Sequence, residues 1–351
     1  MNIHDILDQL VTQEGSDVHI IVGTPPMIRV DGNLIAVEGA PILTPEMAES
    51  LIFPLMTQEQ KDFVEVNKEL DFGYQFQDKG RFRINVYNAK GALGAAMRLI
   101  PTRIKTLDEL QLPPILSEFC NYPQGLVLLT GPTGEGKSTT LAAMIDLINA
   151  SRADHIVTVE DPIEFVYTPK RSIISQREVN SDTNSWEIAL RSILREDPDV
   201  VLIGEMRDYE TIASAITIAE TGHLVFATLH TATAAETIDR IIDVFPAHQQ
   251  GQVRQQLAAT IKVVASQRLL PTVTGKRTAA LEIMIANSAI KNLIREAKTH
   301  QIDTVIQTSA DVGMNLFENH LQSLVQKGVV SADTAMENAF RPTEMGRLLG
   351  R

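Results

Sequence analysis

The stretch Gly131-Pro-Thr-Gly-Glu-Gly-Lys-Ser138 decides the fold. It fits the pattern G-x-x-x-x-G-K-[ST], whose glycines let the backbone curl until successive N–H groups point at a phosphate. The flanks matter as much as the match. Before it, Gly125-Leu-Val-Leu-Leu-Thr130 reads as a short buried strand, and after it Leu141, Met144, Ile145 and Ile148 recur at helical spacing. Strand, loop and helix N-terminus in that order make an anion site, because the first-turn amides and the helix dipole favour negative charge. A chance glycine-rich turn is the competing reading, and it would not bring both flanks with it. Gly131, Pro132, Thr133, Gly134, Glu135, Gly136, Lys137, Ser138 and Thr139 are therefore expected to hold a nucleotide, ATP with Mg²⁺. Lys137 would reach the β- and γ-phosphates, and the Ser138 hydroxyl would ligate the metal.

Working outward, the segments 126–129, 156–159, 200–203 and 224–228 are near-continuous apolar runs, which suit a parallel sheet covered on both faces. Helical patterns over 139–150, 186–194 and 209–219 lie between them, so this part is an α/β P-loop domain. From about Ala232 the pattern reads as helices over 234–244, 250–268, 289–297, 316–327 and 333–340. The first hundred residues lack a nucleotide motif. Strands are expected there over 17–22, 27–30, 70–76 and 81–87, helices over 3–11 and 45–55, and turns at Gly23-Thr-Pro-Pro26, Asp31-Gly32 and Lys79-Gly80. That is a small α+β domain. The stretch 101–114 has proline at both ends and few core positions, and reads as a linker. The expected division is 1–100, a linker over 101–114, and an ATPase domain over 115–351.

Composition narrows the partners. Among 351 residues, 31 basic side chains face 44 acidic ones, a net charge of −13. Nucleic acid as main partner is disfavoured, because phosphate neutralisation needs a basic surface. No segment has the apolar length of a membrane span, and the N-terminus lacks the basic start of a signal peptide. A single cysteine, Cys120, allows no internal disulfide and no Cys₄ zinc site, and reads as a small buried side chain. These features fit a reducing cytoplasm.

Hydrolysis needs a base near the γ-phosphate, an acid for Mg²⁺ and cations against developing charge. Such groups come from the C-terminal ends of the strands. Two strand ends carry acids, in Glu160-Asp161-Pro162-Ile163-Glu164 and in Gly204-Glu205-Met206-Arg207-Asp208. Glu205 fits the Mg²⁺ partner and Glu164 the base. Capping helices or pairing at the surface is the competing role, and it stands level for Asp161 and Asp208. A third strand ends in His230, placed to sense or polarise the γ-phosphate; His223, at the strand's other end, reads as structural.

The run Gly131–Thr139, the box Val159-Glu-Asp-Pro-Ile-Glu-Phe165, Leu194-Arg-Glu-Asp-Pro-Asp199 leading to Gly204-Glu-Met-Arg-Asp208, and Thr221-Gly-His-Leu224 through Thr228-Leu-His-Thr231 together resemble the secretion ATPases of type II, type IV pilus and related machines. The resemblance extends to Ser16-Asp-Val-His19 and Pro26-Met-Ile-Arg-Val-Asp-Gly32, and so covers nearly the whole chain. Within the superfamily, Ala289-Ile-Lys-Asn-Leu-Ile-Arg-Glu296 resembles the signature helix of the pilus-retraction branch, with Lys291 where Arg is usual; that keeps charge but loses the planar fork. Assembly and export members usually carry a tetracysteine zinc insert and a longer N-terminus.

The resemblance implies a PAS-like N-terminal domain, a RecA-like core, and a homohexamer with nucleotide between the domains of neighbouring subunits. It implies that Arg83 and Arg98 approach the phosphates to offset transition-state charge, with Arg81 a weaker candidate; surface pairing is the competing role for all three. It also implies a cytoplasmic motor, docked peripherally on an inner-membrane platform protein, that drives pilus disassembly with 101–114 as hinge. The family usually has Ser at the position of Glu135, whose side chain is expected to point outward while the loop binds through its amides. Three alternatives remain at this level: an assembly or export ATPase, a weakly hydrolysing regulatory ring supported by Glu135, and a RecA-like helicase, which the charge and the lack of an aromatic-basic stripe disfavour. The governing expectation is that Lys137, Glu164, Glu205 and His230 converge on one γ-phosphate.

Overall fold

The computed structural model describes every residue except Asp31, Pro101, Thr102 and Arg351. The start of the expected linker and half of the Asp31-Gly32 turn therefore lie outside the described residues. The chain forms two compact units. One comprises Met1–Arg103 with the segments Asp161–Tyr167 and Glu178–Thr183; the other comprises Ile104–Glu160, Thr168–Arg177 and Asn184–Arg351.

The N-terminal unit is built on six antiparallel strands: β1 (Asp17–Ile20), β2 (Met27–Val30), β3 (Asn33–Ala36), β4 (Glu69–Phe76), β5 (Gly80–Ala89) and β6 (Ala92–Ile100), in the order β3-β2-β1-β6-β5-β4. Period-two alternation sends Phe82, Ile84 and Val86 of β5 into the core with Val18 and Ile20 of β1, and leaves Arg81 and Arg83 on the other face. The helix Ile3–Thr12 adds Ile3, Ile6, Leu7 and Leu10, one apolar stripe, and an Asn2/Asp5 capping box fixes its start. Two strands and one helix here escaped the sequence reading. Strand β6 opens Ala-Leu-Gly-Ala-Ala, weak β-formers that only their neighbours hold extended. Strand β3 is exposed throughout, and the helix Gln58–Asn67 buries only Val64, so neither shows a pattern.

The second unit holds seven strands: β7 (Gly125–Thr130), β8 (His155–Glu160), β9 (Ile173–Glu178), β10 (Val200–Ile203), β11 (Leu224–Leu229), β12 (Ile261–Pro271) and β13 (Arg277–Ile285), in the order β13-β12-β7-β11-β10-β8-β9. Strands β12, β7, β11, β10 and β8 run parallel. Strands β7, β10 and β11 are buried at every position, which is why they read as unbroken apolar runs. The helices Lys137–Ser151, Trp186–Ile193 and Tyr209–Glu220 fall where the periodicity placed them. The chain is thus mixed α/β.

One expectation is corrected. The helix expected over 250–268 ends at Thr260, and β12 begins at once, running antiparallel to β13 from Val263↔Ile285 to Pro271↔Arg277. Ile261-Lys-Val-Val264 is a β-branched run that satisfies its backbone against β7, and this tertiary pairing overrides a helical period carried over from the preceding Gln/Ala-rich helix. The C-terminal helices Phe317–Gln326, Ala332–Asn338 and Pro342–Leu348 then pack Phe317, Leu321, Ala335 and Met345 against Leu270 and Ala280 of this hairpin.

Candidate nucleotide site

The loop 131–136 leaves β7 through Gly131, at φ +137°, where a Cβ would lie 2.3 Å from the Gln267 carbonyl oxygen. No other residue fits there. Gly136, at φ +77°, is the N-cap of the helix Lys137–Ser151 and contributes no side-chain cap, and a helix N-terminus favours an anion. Lys137 is buried, and its Nζ donates to the carbonyls of Gly131 (2.7 Å) and Pro132 (2.8 Å). Glu135, the unusual acid, is engaged by β12: its carboxylate accepts the Leu269 N–H at 2.5 Å, and its carbonyl accepts Gln267 Nε2 at 2.7 Å. Gln267 Oε1 in turn accepts the Thr140 hydroxyl at 2.9 Å. This one glutamine braces the C-terminal end of the loop and the first turn of the helix that follows, and sequence inspection alone offered no sign of it.

The register sets Leu229 of β11 beside Thr130 of β7, and Ile203 of β10 beside Ala227 of β11 and Val159 of β8. The P-loop, His230 and Glu205 therefore emerge at the same end of neighbouring strands. His230 Nε2 lies 2.6 Å from Glu205 Oε1, and Arg207 forks onto the same carboxylate at 2.5 and 2.7 Å. Burial opposes ionisation of Glu205, but the Arg207 and His230 hydrogen bonds outweigh it and hold the carboxyl below its usual range. Glu160, given no role in the sequence reading, is a second acid at this edge: it is buried at the end of β8 and accepts from Thr158 Oγ1 at 2.7 Å and Gln176 Nε2 at 3.3 Å.

Glu164 and the arginines belong to the N-terminal unit. Arg83 and Arg98 are register partners across β5 and β6, so they share the face opposite the apolar core. Arg83 forks onto Asp71 (2.6 and 3.0 Å) and lies 4.0 Å from Glu164. The Asp71 hydrogen bonds raise its guanidinium pKa further. Arg98, 73% exposed, donates to Asp17 at 2.9 Å. Of the four residues expected to converge, Lys137, Glu205 and His230 stand together on one unit, and Glu164 sits beside Arg83 on the other.

Asp208 and His223 have local partners. Asp208 N-caps the helix Tyr209–Glu220 through Thr211, and His223 Nδ1 meets the Ile218 carbonyl at 3.0 Å at that helix's end. Cys120 is buried, and burial pushes its thiol up to about 12. Among the described residues no helix is long and apolar enough to cross a membrane.

A glycine-cradled loop between a buried strand and a helix, with an acid and a histidine on the next strand ends, defines a P-loop nucleotide-binding protein. The chain belongs to the Type II/IV secretion system protein family, whose model matches residues 1–341. It is 47% identical to the type IV pilus retraction ATPase PilT of Pseudomonas aeruginosa, over 97% of this chain and 99% of that protein. It is 48% identical to a twitching motility protein of Neisseria gonorrhoeae, over 91% and 86% of the two chains. A crystal structure of the pilus retraction motor PilT with bound ADP matches with a TM-score of 0.92 and 42% identity, covering 99% of each chain.

Proposed function

We propose that this chain is a homohexameric ATPase that powers type IV pilus retraction. The observation that carries the reading is the Glu205–His230 pair on strand ends beside the P-loop strand, in a chain that matches a retraction ATPase over nearly its full length. In this reading Lys137 and the loop amides hold the phosphates, and Glu164 activates water. His230 senses the γ-phosphate through Glu205, and Arg83 and Arg98 neutralise charge across a subunit boundary. Ser138 and Glu205 would hold Mg²⁺. The donor set fits that ion, which commonly takes one or two protein oxygens and completes its shell with phosphate and water. Bound there, the metal would supply positive charge against the phosphates. The region 1–100 acts as a PAS-like arm, 101–114 as the hinge, and 115–351 as a RecA-like core. An inner-membrane platform protein takes the output, at the cytoplasmic face.

Retraction is favoured over assembly or export by the helix Ser288–Arg295, which carries the retraction-branch signature, and by the single cysteine. Two measurements test the proposal. Steady-state phosphate release from the wild type should vanish in Lys137→Ala; equal rates would leave a non-hydrolysing ring. Deletion of the gene and complementation with Glu164→Gln or Glu205→Gln should give hyperpiliated cells that do not twitch, whereas loss of pili would point to assembly.

A further inference from the structure

We infer that Glu178 and Arg81 form a positioning pair that fixes the Asp161–Tyr167 segment, and through it the Glu164 carboxylate. The inference rests on the reading of Glu164 as the base. The Glu178 side chain, only 2% exposed, collects three donors: Arg81 Nη2 at 2.6 Å, the Gly73 amide at 2.9 Å and the Ile163 amide at 3.1 Å. Arg81 and Ile163 share Oε2, and Gly73 takes Oε1.

The Ile163 amide is the link to function, because it belongs to the residue immediately before Glu164. From Asp161 to Tyr167 the backbone is in neither helix nor strand, so no ladder of main-chain bonds sets the direction of Glu164. A buried carboxylate gripping the adjacent peptide does so instead. The other end of the grip is equally constrained. Arg81 lies two residues from Arg83 on the same face of β5, and Arg83 approaches Glu164 itself. Space is reserved for the pair at Gly73, where a Cβ would fall 2.4 Å from Arg81 Nη2 and 2.7 Å from both Glu178 oxygens. A buried ion pair of this kind contributes little net stability, so fixing geometry is the better account of it.

The test uses the purified full-length protein and steady-state ATP hydrolysis. Glu178→Gln keeps an acceptor oxygen but removes the charge. It should lower kcat about 10- to 100-fold, the cost of misplacing a reacting group by about an ångström. KM for ATP should stay within about twofold, because binding rests on the P-loop. Arg81→Gln should match it, Arg81→Lys should recover part of the loss, and the Glu178→Gln/Arg81→Gln double variant should be no slower than the worse single one. Amide exchange at Ile163 should quicken in Glu178→Gln. Wild-type kcat in Glu178→Gln, or equal loss in Arg81→Lys and Arg81→Gln, would overturn the inference. If Glu178→Gln fails to fold, the two Arg81 variants decide by the same comparison. Glu164→Gln separates the two levels. If it turns over like wild type, the reading of Glu164 falls; if it is dead while Glu178→Gln turns over like wild type, only the positioning pair falls.

Discussion

Glu205 and His230, just past the ends of adjacent parallel strands, are joined side chain to side chain at 2.6 Å. A shift of either strand end must therefore be felt by the other. His230→Ala should bind ATP normally and hydrolyse it about 100-fold more slowly, the typical loss when one preorganised polar contact at a reacting centre is removed. Phosphate release and equilibrium nucleotide binding, measured side by side, check this.

The same carboxylate has a pH signature. Its native pKa lies below the unfolded value of about 4.5, so its stabilisation is present above that pH and is lost as pH falls through the depressed native value. Thermal unfolding of the wild type and Glu205→Gln, compared from pH 7 downward, should converge below pH 4.5. In Arg207→Ala the native pKa is less depressed, so the convergence should be complete at a higher pH.

The Glu135 carboxylate is tied to the Leu269 amide. Glu135→Ala should lose about 1.5 to 3 kcal/mol of stability, the range for a hydrogen bond to a charged group. Turnover should persist, because the loop binds through its amides. A calorimetric scan and a phosphate-release assay on one preparation suffice. Gly131→Ala should do the opposite: its Cβ would overlap the Gln267 carbonyl, and nucleotide binding should disappear.

Among the described residues Arg341 pairs with three carboxylates, at Glu318 (2.7 Å), Asp303 (2.5 Å) and Glu282 (3.8 Å). One cation cannot balance three anions. Burial, reinforced by Asp303 and Glu318, pushes Glu282 up to about 7, although the Ala234 amide and Arg341 oppose it. For an acid raised in the native state, stability falls as pH rises between about 4.5 and 7. Glu282→Gln, which can still accept from Ala234, should therefore gain on the wild type over that window by up to about 3 kcal/mol. Parallel denaturant titrations at pH 5 and pH 8 read the difference.

The signature helix separates into two tests. Ile294 is fully buried, so its substitution reports on folding. Leu293 is half-buried on the helix surface, and Leu293→Ala should leave ATP turnover unchanged while twitching is lost. Unchanged twitching would remove this helix from the output path.

The legible parts were those whose signal is local. The loop's glycines, the all-buried strands β7, β10 and β11, and the acids at strand ends could be placed because each needs only its own neighbours in sequence. What escaped depends on partners far along the chain. Gln267 braces a loop 132 residues away, and Glu178 grips a glycine 105 residues away. No periodicity announces such contacts. Strand β12 was missed for the same reason: β7 beside it, and not its own composition, makes it a strand.

The hairpin of β12 and β13 touches both the P-loop and the helix after His230. Leu269 on β12 holds the P-loop through Glu135, and Glu282 on β13 holds the amide that opens the helix after His230, at 2.8 Å. Nine residue pairs of antiparallel ladder join the two. The hairpin is thus a stiff crossbar between the P-loop and the start of the helix that follows His230. A tug on one end reaches the other through bonds that stretch very little.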